Sequence, residues 1–117
     1  MTLADYQKGA QTTAHYYREA VAGQIGKEHA FLYSVLGLAN EAGEVGGKVK
    51  KILRDKGGVV SDETRHEIGK ELGDVLWYVA CVAEDFGLSL EDIAAENLEK
   101  LRSRNERGTI SGEGDAR

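Results

Sequence analysis

Between residues 28 and 56, Leu32, Val35, Leu38, Val45, Val49 and Ile52 recur at intervals of three, four or seven, and no proline interrupts this stretch or any other part of the 117 residues. Such intervals line side chains along one face of an α-helix, whereas a half-buried strand needs alternation. Proline is the strongest helix breaker, so its absence leaves helix as the favoured element throughout. Segment 3 to 22 reads as a first helix, and Gly23 and Gly26 bracket a polar break before the second opens at Lys27 or Glu28. Lys56-Gly57-Gly58 is a good stop for that second helix. Ser61 or Asp62 can cap a third, with Ile68, Leu72, Val75, Leu76 and Val79 on its apolar face and Gly87 at its end. Ser89 caps a fourth, which carries Glu91 and Asp92 in its first turn, then Ile93, Leu98 and Leu101, and fades into RNERGTISGEGDAR.

The expected fold is therefore all-α, a four-helix bundle in one domain over residues 1–107, followed by a flexible tail over 108–117. Several apolar lines in so small a chain predict that subunits share a core, as a homodimer or homotetramer. Fifteen basic residues are interspersed among twenty acidic ones, for a net charge of -5, so no basic face is available to a nucleic acid polymer. The opening MTLADYQKGAQ has no basic start followed by an apolar stretch, and no apolar run approaches bilayer length, so a cytoplasmic location, bacterial or in a phage-infected cell, is expected and no membrane partner. The single cysteine, Cys81, sits in an apolar run and reads as a small buried hydrophobe.

Glu41 and Glu44 stand three apart on the second helix, and Glu71 and Asp74 three apart on the third. Each pair projects from one helical face at the edge of the apolar stripe, so packing these helices together gathers four carboxylates at the core boundary. Like charges a few ångströms apart raise one another's pKa unless a cation neutralises them. Four hard oxygen ligands with no imidazole or thiolate select magnesium, with manganese as a substitute. From pattern alone, a solvated acidic face accounts for the same residues as well as a metal site does.

The stretch LGLANEAGEV at 36–45 followed by ELGDVLWY at 71–78 resembles the MazG-like family of all-α nucleoside triphosphate pyrophosphohydrolases, whose signature is a glutamate pair, a variable spacer and then ExxD. Here 26 residues separate the two pairs, and the likeness extends to YQKGAQTTAHY, to NLEKLRSR at 97–104 and to the GTISGEGDAR tail. Asn40 departs from the pattern, since many relatives carry a further glutamate there. The resemblance implies that Glu41, Glu44, Glu71 and Asp74 bind Mg2+, and that the chain cleaves a (d)NTP, most naturally a dNTP, to the monophosphate and diphosphate for nucleotide-pool control or house-cleaning. One of these glutamates, when not fully engaged as a ligand, can also accept the proton of the attacking water, and Glu41 is the candidate.

Asn97, Lys100 and Arg104 share one face of the fourth helix, as a solvated basic face or, as the resemblance to the family's NxxKLxxR pattern implies, as phosphate ligands. Lys48 and Lys51 extend the acidic face of the second helix, as further phosphate contacts or, for Lys48, as an intrahelical partner of Glu44. Tyr78, four residues past Asp74, is placed to line the pocket, while Trp77 is expected to point away into packing or an interface. Gln7, Gln11 and His15 lie along one face of the first helix, as nucleoside contacts or as plain surface. In the tail, Asp115 and Arg117 are candidate contacts of a lid that closes over nucleotide. Two rival functions stand beside the hydrolase: a non-catalytic helical interaction module, and a diiron carboxylate bundle, for which only one of the two required Glu-x-x-His units is present, at Glu63 and His66.

Overall fold

The computed structural model describes residues 1–117 and contains helices and no strand: α1 (Leu3–Gln24), a 3-10 turn (Lys27–His29), α2 (Ala30–Asp55), α3 (Asp62–Asp85) and α4 (Leu90–Glu106). Local chemistry sets the boundaries. Thr2 caps α1 through a capping box with Asp5. The Ser61 hydroxyl accepts from the Thr64 N–H to start α3, and Ser89 accepts from Asp92 N–H to start α4, each satisfying an otherwise unpaired donor. α2 opens later than the sequence suggests, because the residues behind Gly26 wind as a 3-10 turn first. Gly87 closes α3 at a φ of +68°, a conformation that costs a side-chain-bearing residue, and lets the Leu88 N–H reach the Ala83 carbonyl at 2.8 Å.

α2 and α3, about 39 and 36 Å long at 1.5 Å per residue, form an antiparallel pair. Ser34 faces Asp85, Gly37 faces Tyr78, Lys48 faces Glu67 and Lys56 faces Thr64. α1 packs against this pair through small residues. Ala14 and Tyr17 meet Ala30 and Cys81 in one cluster, Ala10 meets Ala80 and Leu90 in a second, and Trp77 packs on both. Cys81 is fully buried, as its apolar surroundings in the sequence imply.

A buried polar knot ties the three helices together. The Asp85 carboxylate accepts from the Tyr17 hydroxyl at 2.9 Å, the Ser34 hydroxyl at 2.8 Å and Arg18 Nε at 2.9 Å. A second clamp holds the α3–α4 turn. Gln7 Nε2 donates to the Leu88 carbonyl and to Glu84, while its Oε1 accepts from the Leu90 N–H at 2.7 Å.

The packing is that of three helices with a fourth attached by its first turn. Of α4's residues only Leu90 and Arg104 are buried. Its Leu98, with Leu36 and Leu53 on α2 and Leu72 on α3, is more than half exposed. The radius of gyration is 17.4 Å, against about 13 Å for a compact domain of this length. No helix is long and apolar enough to cross a membrane.

Candidate functional site

The antiparallel register brings the middle of α2 opposite the middle of α3, and there one oxygen each of Glu41, Glu71 and Asp74 lies within 4.8 Å of the others. Glu41 and Glu71 are half-buried and Asp74 is exposed. No positive side chain forms an ion pair with any of the three. Burial, and then the negative charges of Asp74, Glu71 and Glu44, push the Glu41 carboxyl above its ordinary pKa. Glu44, one turn along α2, is exposed and stands outside the close set, yet its charge is felt at Glu41. Of the four carboxylates the sequence expects to gather, three lie within 4.8 Å of one another and the fourth is adjacent. The donor set is all hard oxygen, negatively charged and uncompensated, which is what a small divalent cation requires.

Beside the carboxylates opens a cleft of about 380 Å³ lined by Thr13 and Tyr16 of α1, Glu41 of α2, and Asp74, Trp77 and Tyr78 of α3. Tyr78 lines it, as its spacing from Asp74 predicts. Its ring lies so close to α2 that a Cβ on Gly37 would sit 2.1 Å from it. Trp77 meets the expectation of packing but does not point away from the site. It packs on the core and also forms a cleft wall, stacked on Tyr16 at 6.4 Å with 15° between the planes, and its indole N–H donates to the Thr13 hydroxyl at 3.0 Å. α1 crosses on that flank of Asp74 and makes it part of the cleft, so Thr13 and Tyr16 enter a site that the acidic motifs on α2 and α3 do not announce. Behind this wall, Tyr17 stacks on Tyr33 at 5.0 Å, and burial with the Asp85 bond raises its hydroxyl pKa.

The cationic candidates fall elsewhere. Lys48 pairs across helices with Glu67 at 3.5 Å in place of Glu44, and Lys51 is exposed. Asn97 and Lys100 line a separate recess on α4 with Ile93, Glu96 and Asp115. Arg104 is buried beneath it, and its guanidinium reaches Asp115 through both the main-chain carbonyl and, at 3.2 Å, the carboxylate. Lys100 holds the same carboxylate at 2.9 Å. Arg117 donates to the carbonyls of Thr109, Ile110 and Gly114, and so folds the tail upon itself.

On α1 the three polar candidates separate. Gln7 is buried as the turn clamp and is therefore structural, Gln11 donates to the Gln7 carbonyl, and His15 is exposed against the Thr12 carbonyl. Glu63 and His66 stay near the start of α3, and the carboxylate cluster holds no histidine, so the paired ligand sets of a diiron bundle do not form.

Residues 31–109 match the family model described as the MazG nucleotide pyrophosphohydrolase domain. The chain is 46% identical over 112 residues to the "Gene 37 protein" of Mycobacterium phage L5, covering 96% of each chain. It is 36% identical over 74 residues to the "Uncharacterized protein YvdC" of Bacillus subtilis (strain 168), covering 59% of this chain and 70% of that one. No solved structure matches. The family match spans the three clustered carboxylates, the aromatic wall contributed by α3 and the cationic face of α4, and the chain therefore belongs to the MazG nucleotide pyrophosphohydrolase family.

Proposed function

We propose that this protein is a magnesium-dependent nucleoside triphosphate pyrophosphohydrolase that adds water across one phosphoanhydride of a (d)NTP to give (d)NMP and diphosphate. The observation that carries the reading is the uncompensated triad of Glu41, Glu71 and Asp74 opening into an aromatic cleft, in a chain of this family. Those three residues, with Glu44 beside them, would hold Mg2+. The ion supplies polarisation of phosphoryl oxygens, a lowered pKa for water and neutralisation of charge on the departing diphosphate.

The remaining work falls to side chains. Glu41, which both borders the cleft and belongs to the carboxylate triad, is placed to take the proton of the attacking water. Tyr16, Trp77 and Tyr78 offer ring faces to a nucleobase, and the cleft volume of about 380 Å³ falls within the range of small-ligand sites. Lys100, Arg104 and Asn97, with Lys48 and Lys51 on α2, are the candidate phosphate ligands.

Within one chain the α4 recess does not open into the carboxylate cleft. The exposed leucines of α2, α3 and α4 and the extended shape support assembly of a homodimer or tetramer, in which apolar faces left bare here would be covered. The deciding experiment is a panel of common NTPs and dNTPs with Mg2+, scored for nucleotide and phosphorus products. Equimolar monophosphate and diphosphate is the expected result, and a deoxynucleotide is the expected preferred substrate. Release of orthophosphate, or no turnover in any arm, overturns the proposal.

A further inference from the structure

The tail is not simply laid on the surface. It delivers one carboxylate, Asp115, onto the two cations of α4 that the proposed function assigns to phosphate. Lys100 Nζ lies 2.9 Å from Asp115 Oδ1, and the Arg104 guanidinium reaches the same oxygen at 3.2 Å and the Asp115 carbonyl as well. Arg104 is 4% exposed, and its Nε is buried with no hydrogen-bond partner. An arginine this buried with donor capacity to spare is a prepared anion site, filled only in part by a single carboxylate. The tail is shaped to make the delivery. Gly108 turns the chain at a φ of +71° where α4 ends, Arg107 donates to the Arg117 carbonyl at 3.0 Å, and the three carbonyls gathered by Arg117 hold the loop closed.

We infer that Asp115 is an intramolecular competitor for the phosphate site: residues 107–117 form a latch whose carboxylate occupies Lys100 and Arg104 until a polyphosphate displaces it. A carboxylate and a phosphate oxygen present the same charge and acceptor geometry to a guanidinium, so one can stand in for the other. A polyphosphate brings more charge and more oxygens, enough to engage the spare Arg104 donor, and so it wins. The latch lowers the apparent affinity by the fraction of molecules in which it is open. It also discriminates, because a monophosphate product competes less well with Asp115 than a triphosphate does, and reclosure favours its release. Glu96, which lines the same recess, adds a negative charge that penalises weakly held anions further.

This inference rests on the reading of Lys100 and Arg104 as phosphate ligands, and the test separates the two. Inorganic tripolyphosphate is titrated calorimetrically into the metal-free full chain, its Asp115→Asn variant and its Lys100→Ala variant, with tail cleavage by a protease followed in parallel. The latch requires that tripolyphosphate accelerate cleavage within 108–117 in the wild type. It also requires Asp115→Asn to bind about two- to thirtyfold more tightly, the range set by two ion pairs that share the exposed Asp115 carboxylate, with Lys100→Ala binding more weakly than Asp115→Asn. Unchanged or weaker binding by Asp115→Asn, with Lys100→Ala still impaired, overturns the latch and leaves the phosphate assignment standing. Equal binding by Lys100→Ala and wild type, with Asp115→Asn also unchanged, overturns the assignment and the latch with it. Asp115 is exposed on the tail, so its substitution leaves the helical core intact.

Discussion

Replacing Glu41 with glutamine is expected to stabilise the metal-free protein while removing its response to magnesium. The oxygens of Glu41, Glu71 and Asp74 lie within 4.8 Å of one another, and two unit charges at that separation repel by about 0.9 kcal/mol at the dielectric of water. Asp74 is exposed, so the water value suits its pair with Glu41 and is a floor for the pair with half-buried Glu71. Relief of two such repulsions is worth about 1.7 kcal/mol, reduced to about 1 kcal/mol by physiological salt. An unfolding entropy of about 2.1 cal/mol/K per residue turns this into a rise of roughly 4–7 °C in Tm for a chain of this size. In wild type, magnesium at ten times its Kd adds about 1.4 kcal/mol, or roughly 6 °C, by binding only the native state. The variant should gain little. The pH dependence has a definite sign. Glu41's folded pKa is raised, so the favourable contribution of its protonated form is present at low pH and lost as pH rises through the folded value. The gap between variant and wild type must therefore close toward acid. Melting curves with EDTA and with Mg2+ at several pH values read all of this. A metal-free variant that melts below wild type would show that Glu41 is a structural anchor, and one that keeps the whole magnesium shift would put the ion elsewhere.

Tyr17→Phe removes one of three donors to the 6%-exposed Asp85 carboxylate, and a bond to a charged acceptor is worth about 1.5–3 kcal/mol. Because Ser34 and Arg18 remain on Asp85, the low end applies, and thermal melting should fall by about 6 °C; an unchanged Tm would mean that the knot is not closed in solution. Gly37→Ala sets a Cβ 2.1 Å from the Tyr78 ring and should raise KM for the preferred nucleotide more than it lowers kcat, at a stability cost of about 1–3 kcal/mol; an unaltered KM would remove Tyr78 from base recognition. Lys100 and Arg104 depress the pKa of Asp115 below its ordinary 3.8, so the latch contact persists above that value and is lost as pH falls through the depressed one. Protection against hydrogen exchange across 108–117, measured relative to the intrinsic rate at each pH, should fall there and stay level between pH 5 and 8.

The helices were legible because their signals are local. Ser61 and Ser89 cap, Gly87 stops, and the apolar intervals turn at 3.6 residues whatever the tertiary partners. The facing of Glu41 and Asp74 was equally readable, since an antiparallel pair with a short turn leaves little freedom of register. Trp77 packs on the core as its position implies, and its second place on the cleft wall is not legible for a physical reason. A wheel drawn for α3 alone places Trp77 on one flank of Asp74 and Tyr78 on the other, and only the crossing of α1 decides that both flanks border the cleft. Gln7 was hidden for the same reason, because nothing near it in sequence reveals that its amide meets the Leu88 carbonyl and the Leu90 N–H eighty residues away. The helical spacing that marks Lys100 and the tail position that marks Asp115 give no sign that the tail folds one onto the other.

Two features of the lone chain are unfavourable, and both lie on the same helix pair. The carboxylate triad repels itself across the α2–α3 seam, and those helices also leave Leu36, Leu53 and Leu72 more than half exposed. On the proposed reading a cation relieves the first and a second copy relieves the second. On that reading the two events act on one structural element and are expected to be coupled. Covering the apolar faces restrains α2 against α3, which lowers the entropy lost when three carboxylates close on an ion, and an ion that draws the seam together presents a firmer surface to the second copy. Linkage then requires each to strengthen the other by the same factor. Magnesium should shift sedimentation toward the larger species, and magnesium affinity should rise as protein concentration passes through the assembly range. Assembly indifferent to magnesium, together with magnesium affinity indifferent to protein concentration, would show that the triad and the apolar faces are independent.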